Sequence, residues 1–266
     1  MGNIVSFPGL GLEFTVNPNA FSIFGRDIKW YAIIILTGMV LAVLFAIWEG
    51  KRTGVVADTI LDIVLICIPT AIICARVYYV ICEWGYYGRH PEEIIQIWNG
   101  GLAIYGGIIG GCTAAWIYCR IKKVVMGELF DLGGFGFLIG QTLGRWGNFM
   151  NAEAYGYETD LPWRMYISDI NMAVHPTFLY ESLWNLIGFV LLFFYRKHKK
   201  FSGEIFLLYV VWYGLGRAWI EGLRADSLYI AGTDIRVSQL LAVVAVITGI
   251  AAISYKRYIT SKESKG

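Results

Sequence analysis

Long apolar runs alternate along this chain with short interruptions carrying glycine, charge and aromatic residues. A bilayer core about 30 Å thick takes roughly 20 mostly apolar residues per helix. Seven runs qualify, at 31–48, 59–82, 102–119, 128–143, 177–195, 204–221 and 237–255. The first has no basic segment before it and no small-residue cleavage site after it, so it reads as a span and not as a removable leader. The interruptions divide by charge. One alternating set of loops holds Lys51, Arg52, Arg120, Lys122, Lys123, Arg196, Lys197, Lys199, Lys200, Lys256, Arg257, Lys262 and Lys265. The other holds Arg26, Lys29, Arg89, Arg145, Arg164, Arg224 and Arg236. Because the basic-rich side of such proteins is cytoplasmic, the pattern predicts an outer N-terminus and an inner C-terminus.

Composition narrows the class further. Of 266 residues, 57% are apolar and 16% charged, against roughly 45–50% and 25% in soluble domains. The mean hydropathy is +0.56. A soluble domain of this length would expose too much apolar surface, and the 16% aromatic content excludes disorder. A net charge of +2 is too small to point to nucleic acid. Cys67, Cys74, Cys82, Cys112 and Cys119 lie in or beside apolar runs, and their odd number and spacing give no disulfide framework and no metal pair. The expected fold is an all-α polytopic membrane protein of about seven spans, a single integral domain over 1–266. Its outer loops, 83–101, 144–176 and 222–236, are the longer ones and carry the interfacial Trp84, Tyr86, Tyr87, Trp98, Tyr155, Tyr157, Trp163 and Tyr166. Function is expected on that face.

Charged groups at membrane depth cost at least about 2.5–3.5 kcal/mol each near a helix centre, so each needs a reason. Arg76 lies within a span. In the sixth span Tyr213, Arg217, Glu221 and Arg224 follow at steps of four, four and three, which put them on one helix face. Arg217 and Glu221 can neutralise each other as an ion pair or snorkel to the interface. The excess of Arg over acid on this face favours a bound anion, since guanidinium grips phosphate through paired hydrogen bonds. Gly106/Gly110, Gly107/Gly111 and Gly136/Gly140/Gly144 are packing ridges, and suggest that the third and fourth spans form a tight pair. After the fourth span, Arg145, Asn148, Asn151 and Glu153 stand within nine residues among Gly and bulky apolar side chains. Arg can hold phosphate, the amides can donate to ester or phosphate oxygens, and Glu153 can accept a proton or orient a donor. A water-capped polar loop is the plainer account. His90, His175 and His198 lie outside the spans, and Pro176 suits a helix start. No His/Cys/carboxylate spacing suggests a metal, and no cofactor is required.

The segment Gly144-Arg-Trp-Gly-Asn-Phe-Met-Asn-Ala-Glu-Ala-Tyr-Gly156 closely resembles the signature of the prolipoprotein diacylglyceryl transferases. So, in order, do Asp27-Ile-Lys-Trp-Tyr31, Ala75-Arg-Val-Tyr-Tyr79, Trp98-Asn-Gly-Gly-Leu-Ala-Ile-Tyr-Gly-Gly107, His175-Pro-Thr-Phe-Leu-Tyr-Glu181 and Tyr213-Gly-Leu-Gly-Arg-Ala-Trp-Ile-Glu-Gly-Leu-Arg224. The resemblance covers essentially the whole chain. It implies a bacterial plasma-membrane enzyme, active at the outer face of the bilayer. Such an enzyme moves the diacylglyceryl group of phosphatidylglycerol to the lipobox cysteine thiol of a lipoprotein precursor signal peptide, releasing glycerol phosphate. It carries over Tyr31, Arg76, Arg145, Asn148, Asn151, Glu153, Gly156, Tyr213, Arg217, Glu221 and Arg224, with Glu181 and Asp131 matching in less defined roles. Two positions depart from many relatives: Tyr105 stands where they have histidine, and Phe178 where a polar residue is common. A histidine base is therefore impossible at 105, and either Tyr105 hydrogen-bonds or the base lies elsewhere.

On this reading a thiolate attacks the glycerol carbon bearing the phosphoester. Arg145 and Arg217 take the phosphate and Arg224 gates or holds the headgroup. Glu153 or Glu221 orients guanidiniums or takes the thiol proton, and Tyr31 and Asn148 bind the lipid's polar region. A transporter or channel for an anionic or lipid substrate is the alternative, because intramembrane Arg and Glu also mark substrate paths. No internal repeat between the halves supports it.

Overall fold

The computed structural model describes residues 3–230 and 232–263; Lys265, counted among the basic loop residues, lies outside them. The helices are α1 (Trp30–Thr53), α2 (Ala57–Cys82), the single turn α3 (Trp84–Tyr87), α4 (Ile104–Lys122), α5 (Met126–Met150), α6 (Thr177–Tyr195), α7 (Glu204–Ile220) and α8 (Val237–Glu263). Each apolar run has become a helix. Among the described residues, four helices are long and apolar enough to cross a membrane: Trp30–Thr53, Ala57–Cys82, Thr177–His198 and Val237–Glu263. In α4, α5 and α7, glycine and polar groups replace part of the aliphatic content, and α7 has only 17 residues.

The all-α expectation needs correction. Strands β1 (Asn3–Phe7), β2 (Leu12–Val16), β5 (Met165–Ile167) and β6 (Met172–Val174) form an antiparallel sheet in the order β2-β1-β5-β6. A separate hairpin joins β3 (Asn19–Ile23) to β4 (Arg26–Lys29). Its two turn residues, Phe24 and Gly25, both have positive φ, as a tight hairpin turn demands. Alternation explains the sheet, since Val5, Phe7, Val16, Met165, Ile167 and Val174 are buried against Phe178, Phe149 and Met150.

The chain divides into two compact units, Ile47–Leu129 and the combination of Met1–Ala46 with Phe130–Gly266. In the first, α4 lies against α2. A side chain at Gly106 would collide with the Cys74 carbonyl and Tyr78, and one at Gly110 would come 2.6 Å from the Cys74 sulfur. Tyr118 donates to Asp62 Oδ2 at 2.8 Å across the same pair. In the second unit α5 meets α1: a Cβ at Gly38 would lie 3.5 Å from the Gly140 Cα, one at Gly136 3.6 Å from Ala42, and one at Gly144 3.2 Å from Ile35. The glycine ridges therefore serve α2–α4 and α1–α5 contacts, not the pairing expected between the third and fourth spans.

Helices α6 and α7 interlock through two tryptophans. Trp184 Nε1 donates to the Trp212 carbonyl and Trp212 Nε1 to the Trp184 carbonyl, each at 2.9 Å. The rings stack with centroids 4.4 Å apart. Each indole occupies the space left by a glycine four residues beyond the other tryptophan, Trp212 at Gly188 and Trp184 at Gly216. Gly216→Ala is expected to cost about 1–3 kcal/mol through overpacking, read as a lowered unfolding midpoint in detergent. An unchanged midpoint would show that the indole yields freely.

At the start of α7, Asp131 caps the helix from outside it. Its carboxylate accepts from the amides of Gly203 (3.1 Å) and Phe206 (3.0 Å) and from Lys199 Nζ (2.9 Å). Free amides at a helix start need such partners, so Asp131 has a structural task.

Candidate active site

The Arg145 cluster is built on a helix end and the tight turn after it. Instead of ending at 143, α5 runs to Met150, so Arg145 and Asn148 lie on its last turns and not in a loop. The chain then reverses: the amides of Asn151 and Glu153 donate to the carbonyls of Gly147 and Asn148 at 3.1 Å. Ala152 and Ala154 adopt positive φ of 50° and 57°, a left-handed conformation costly for residues with a Cβ. Thr177 Oγ1 secures this turn by donating to the Ala154 carbonyl at 2.5 Å. Glu153 is thereby folded back, and its Oε1 accepts from Asn148 Nδ2 (2.9 Å) and Asn151 Nδ2 (3.1 Å). Glu153 orients amides here, not the guanidiniums expected. Buried Asn151 Oδ1 accepts no hydrogen bond among the described residues.

Glu181, on α6, ties three arginines together. It pairs with Arg145 through Oε2, and through Oε1 with Arg217 at 3.1 Å and Arg224 at 3.3 Å. Arg217 also pairs with Glu221 at 2.6 Å. Arg224 makes a fork to Asp226, with Nε at 2.9 Å and Nη2 at 2.7 Å. Arg145 Nη1 donates to Asn148 Oδ1 at 3.3 Å. A continuous polar chain thus runs from Glu153 through Asn148, Arg145 and Glu181 to Arg217 and Glu221. Two expectations change. Helix α7 ends at Ile220, Glu221 opens a 3₁₀ turn and Arg224 is extended, so the four residues do not share one helical face. Three guanidiniums face Glu181, Glu221 and Asp226, so the expected excess of positive charge is balanced locally.

Electrostatics follow from these contacts. The hydrogen bond from Arg224 holds the Asp226 carboxyl below the usual carboxylate range. Burial opposes the charge on Arg224, but Asp226 and Glu181 outweigh it and raise its pKa. Burial lowers that of His175, whose Nδ1 lies 3.3 Å from the Tyr180 hydroxyl. Arg145 and Arg217 keep spare capacity: their side chains are 20% and 17% exposed, against 10% for Arg224, and the Nε of each makes no bond among the described residues.

The remaining predicted residues fall in different places. A Cβ at Gly147 would come 2.7 Å from the Tyr31 ring, so Tyr31 sits against the end of α5. Gly156 bridges to Arg224, and a Cβ there would come 2.7 Å from the Leu223 carbonyl, which only glycine avoids. Tyr213 stacks on Tyr209. Phe178, the second departure, is buried beside Phe149 and Trp146. Arg76 and Tyr105 belong to the other unit. Arg76 is buried and gives hydrogen bonds to four carbonyls, those of Glu93, Ile94, Gly100 and Gly101. This arrangement shapes the loop before α4. Tyr105 opens α4, is half-exposed, and its ring lies 6.5 Å from that of Tyr78. Asp226 was missed by sequence reasoning, although its position two residues after Arg224 is a usable signal. A cavity of about 380 Å³ lies beside the cluster, lined by Ala152, Glu153, Ala154, Tyr155, Ala225 and Asp226.

Comparison with known proteins bears on the family of the chain. The family model described as prolipoprotein diacylglyceryl transferase matches residues 18–255. Three relatives are named phosphatidylglycerol–prolipoprotein diacylglyceryl transferase. That of Lysinibacillus sphaericus is 44% identical over 92% of this chain and 94% of its own. That of Bacillus licheniformis is 45% identical over 91% and 93%, and that of Clostridioides difficile 44% over 89% and 94%. With matches of this extent, the chain belongs to the prolipoprotein diacylglyceryl transferase family.

Proposed function

We propose that the protein transfers the diacylglyceryl group of phosphatidylglycerol to the lipobox cysteine of a lipoprotein precursor, as a single integral domain over 1–266. The observation that carries this reading is the Arg145–Glu181–Arg217 cluster, built from segments that match the family. The new bond joins the thiol sulfur to the glycerol carbon bearing the phosphoester. The bond from that carbon to the phosphate oxygen breaks, and glycerol phosphate leaves with the electron pair. Departing phosphate gathers negative charge, so fixed cations help most there. Arg145 and Arg217 take that position and Arg224 holds the headgroup from the side. Tyr31 and Asn148 bind the lipid's polar region, and Asn151 Oδ1 can accept from a glycerol hydroxyl.

The thiol must ionise to attack. Glu153 is the better base: it is exposed, whereas Glu221 is buried and paired with Arg217. Tyr105 is kept as a candidate hydroxyl for the reaction on the family resemblance alone. Tyr105→Phe is expected to slow transfer about tenfold with lipid binding intact, the scale of one hydrogen bond. An unchanged rate would reduce Tyr105 to packing. The proposed setting is the bacterial plasma membrane, with seven spans, an outer N-terminus and the site toward the outer face; the unequal division of Lys and Arg between loops supports this orientation.

The direct test is to incubate the purified protein with phosphatidylglycerol and a lipobox peptide, and to look for a diacylglyceryl mass gain on cysteine. No adduct, while a known transferase makes one under the same conditions, would overturn the proposal.

A further inference from the structure

Arg236 immediately precedes α8 and has no part in the mechanism above, yet its guanidinium joins three segments. Nη1 donates to the Glu221 carbonyl at 2.7 Å, Nε to the Tyr229 hydroxyl at 3.2 Å and Nη2 to the Tyr157 hydroxyl at 3.3 Å. Its carbon centre lies 5.8 Å from the centre of the Tyr157 ring and 5.7 Å from that of Tyr229. The two hydroxyls are 3.4 Å apart, and the Tyr157 hydrogen bond, aided by Arg236, lowers the Tyr229 pKa. Backbone pairing reinforces the junction: the Tyr157 amide donates to the Leu223 carbonyl at 2.8 Å, and Tyr229 bridges to Arg236 itself.

The contact with Glu221 matters most. Glu221 directly follows the last residue of α7, where carbonyls carry partial negative charge. Its own carbonyl accepts from the Arg224 amide at 3.2 Å and Ser227 Oγ at 3.3 Å, and among the described residues Arg236 is the shortest and the only charged donor to it. A guanidinium there fixes the main chain of the residue whose carboxylate holds Arg217. We propose that Arg236 is a positioning residue for the transfer reaction: with Tyr157 and Tyr229 it fixes Glu221, and through Glu221 sets the Arg217 guanidinium toward the phosphate. This rests on the transfer reading proposed above.

The test uses the full-length protein with phosphatidylglycerol micelles and a lipobox peptide. Arg236→Gln is expected to lower kcat about tenfold while both KM values stay within twofold, because misplacing a reacting group by a fraction of an ångström costs rate more than binding. In an Arg217→Lys background the same change should add less than a twofold loss, since coupled residues are non-additive. An undiminished kcat, or equal losses in the two backgrounds, overturns the proposal. If Arg236→Gln does not fold, Tyr229→Phe removes one hydroxyl and keeps the ring. It should cost about threefold in kcat, again only when Arg217 is present; equal or absent losses overturn the inference. Inactivity of the unaltered protein beside an active known transferase overturns the transfer reading itself, and the inference with it.

Discussion

Glu181→Gln is expected to reduce transfer by about 10²–10³-fold, the largest effect of any single isosteric change in this protein. One side chain, 4% exposed, is the common counter-ion of Arg145, Arg217 and Arg224. The amide keeps the shape but removes the charge, leaving three guanidiniums with two carboxylates. Breaking a buried pair costs about 3–5 kcal/mol because a charge remains uncompensated, and each 1.36 kcal/mol that reaches the barrier is tenfold in rate. The three arginines would spread apart and lose the geometry needed for charge developing on the phosphate. Uncompensated guanidiniums still attract the lipid phosphate, so KM for phosphatidylglycerol should stay level or fall while kcat collapses. Glu181→Asp, which keeps the charge on a shorter stem, should recover part of the rate. Activity of Glu181→Gln within threefold of the unaltered protein would show that the cluster is not organised around this carboxylate.

The helices were legible because a 20-residue apolar run has few other uses, and each such run became a helix. The strands were not. Asn3–Phe7 and Leu12–Val16 are five residues each, and Met165–Ile167 and Met172–Val174 three each. A window sized for membrane spans averages over such short alternations. Their pairing also joins residues about 160 positions apart, as in Val5 with Ile167, a relation that no local pattern carries. The glycine ridges show the same limit. Their spacing correctly marks close helix approach, but the partner helix is set by packing, so α4 met α2 and α5 met α1.

Within the site, the residue types and the segment 144–156 were readable, and their wiring was not. Spacing within α7 pointed to the Arg217–Glu221 pair, which formed. Glu181 sits 36 residues from both Arg145 and Arg217, so its role as their shared carboxylate required the approach of α6 to α5 and α7. Asp226 was overlooked because helical spacing was extended through Arg224, where the chain had already left the helix. The apparent surplus of arginine came from counting one face of one helix.

Arg145→Lys should lower transfer about 100-fold without unfolding the protein. Lysine equals arginine in helix propensity, and position 145 lies within α5, so the backbone has no reason to change. The difference is in the donors. The planar guanidinium serves Asn148 with one nitrogen and Glu181 with another, and still has Nε for a phosphate oxygen. An ammonium is a point charge on a flexible stem and cannot hold that fork geometry. Keeping the charge while losing the fork therefore separates two explanations for the site. If long-range attraction of phosphate suffices, Arg145→Lys will retain near-normal kcat and KM. If paired hydrogen bonds must tighten as the phosphoester breaks, kcat will fall and KM will change little. The second outcome is expected, because Arg145 is the one arginine here joined to both the amide chain leading to Glu153 and the shared carboxylate of Glu181. Its replacement separates the base from the phosphate grip at the residue that connects them.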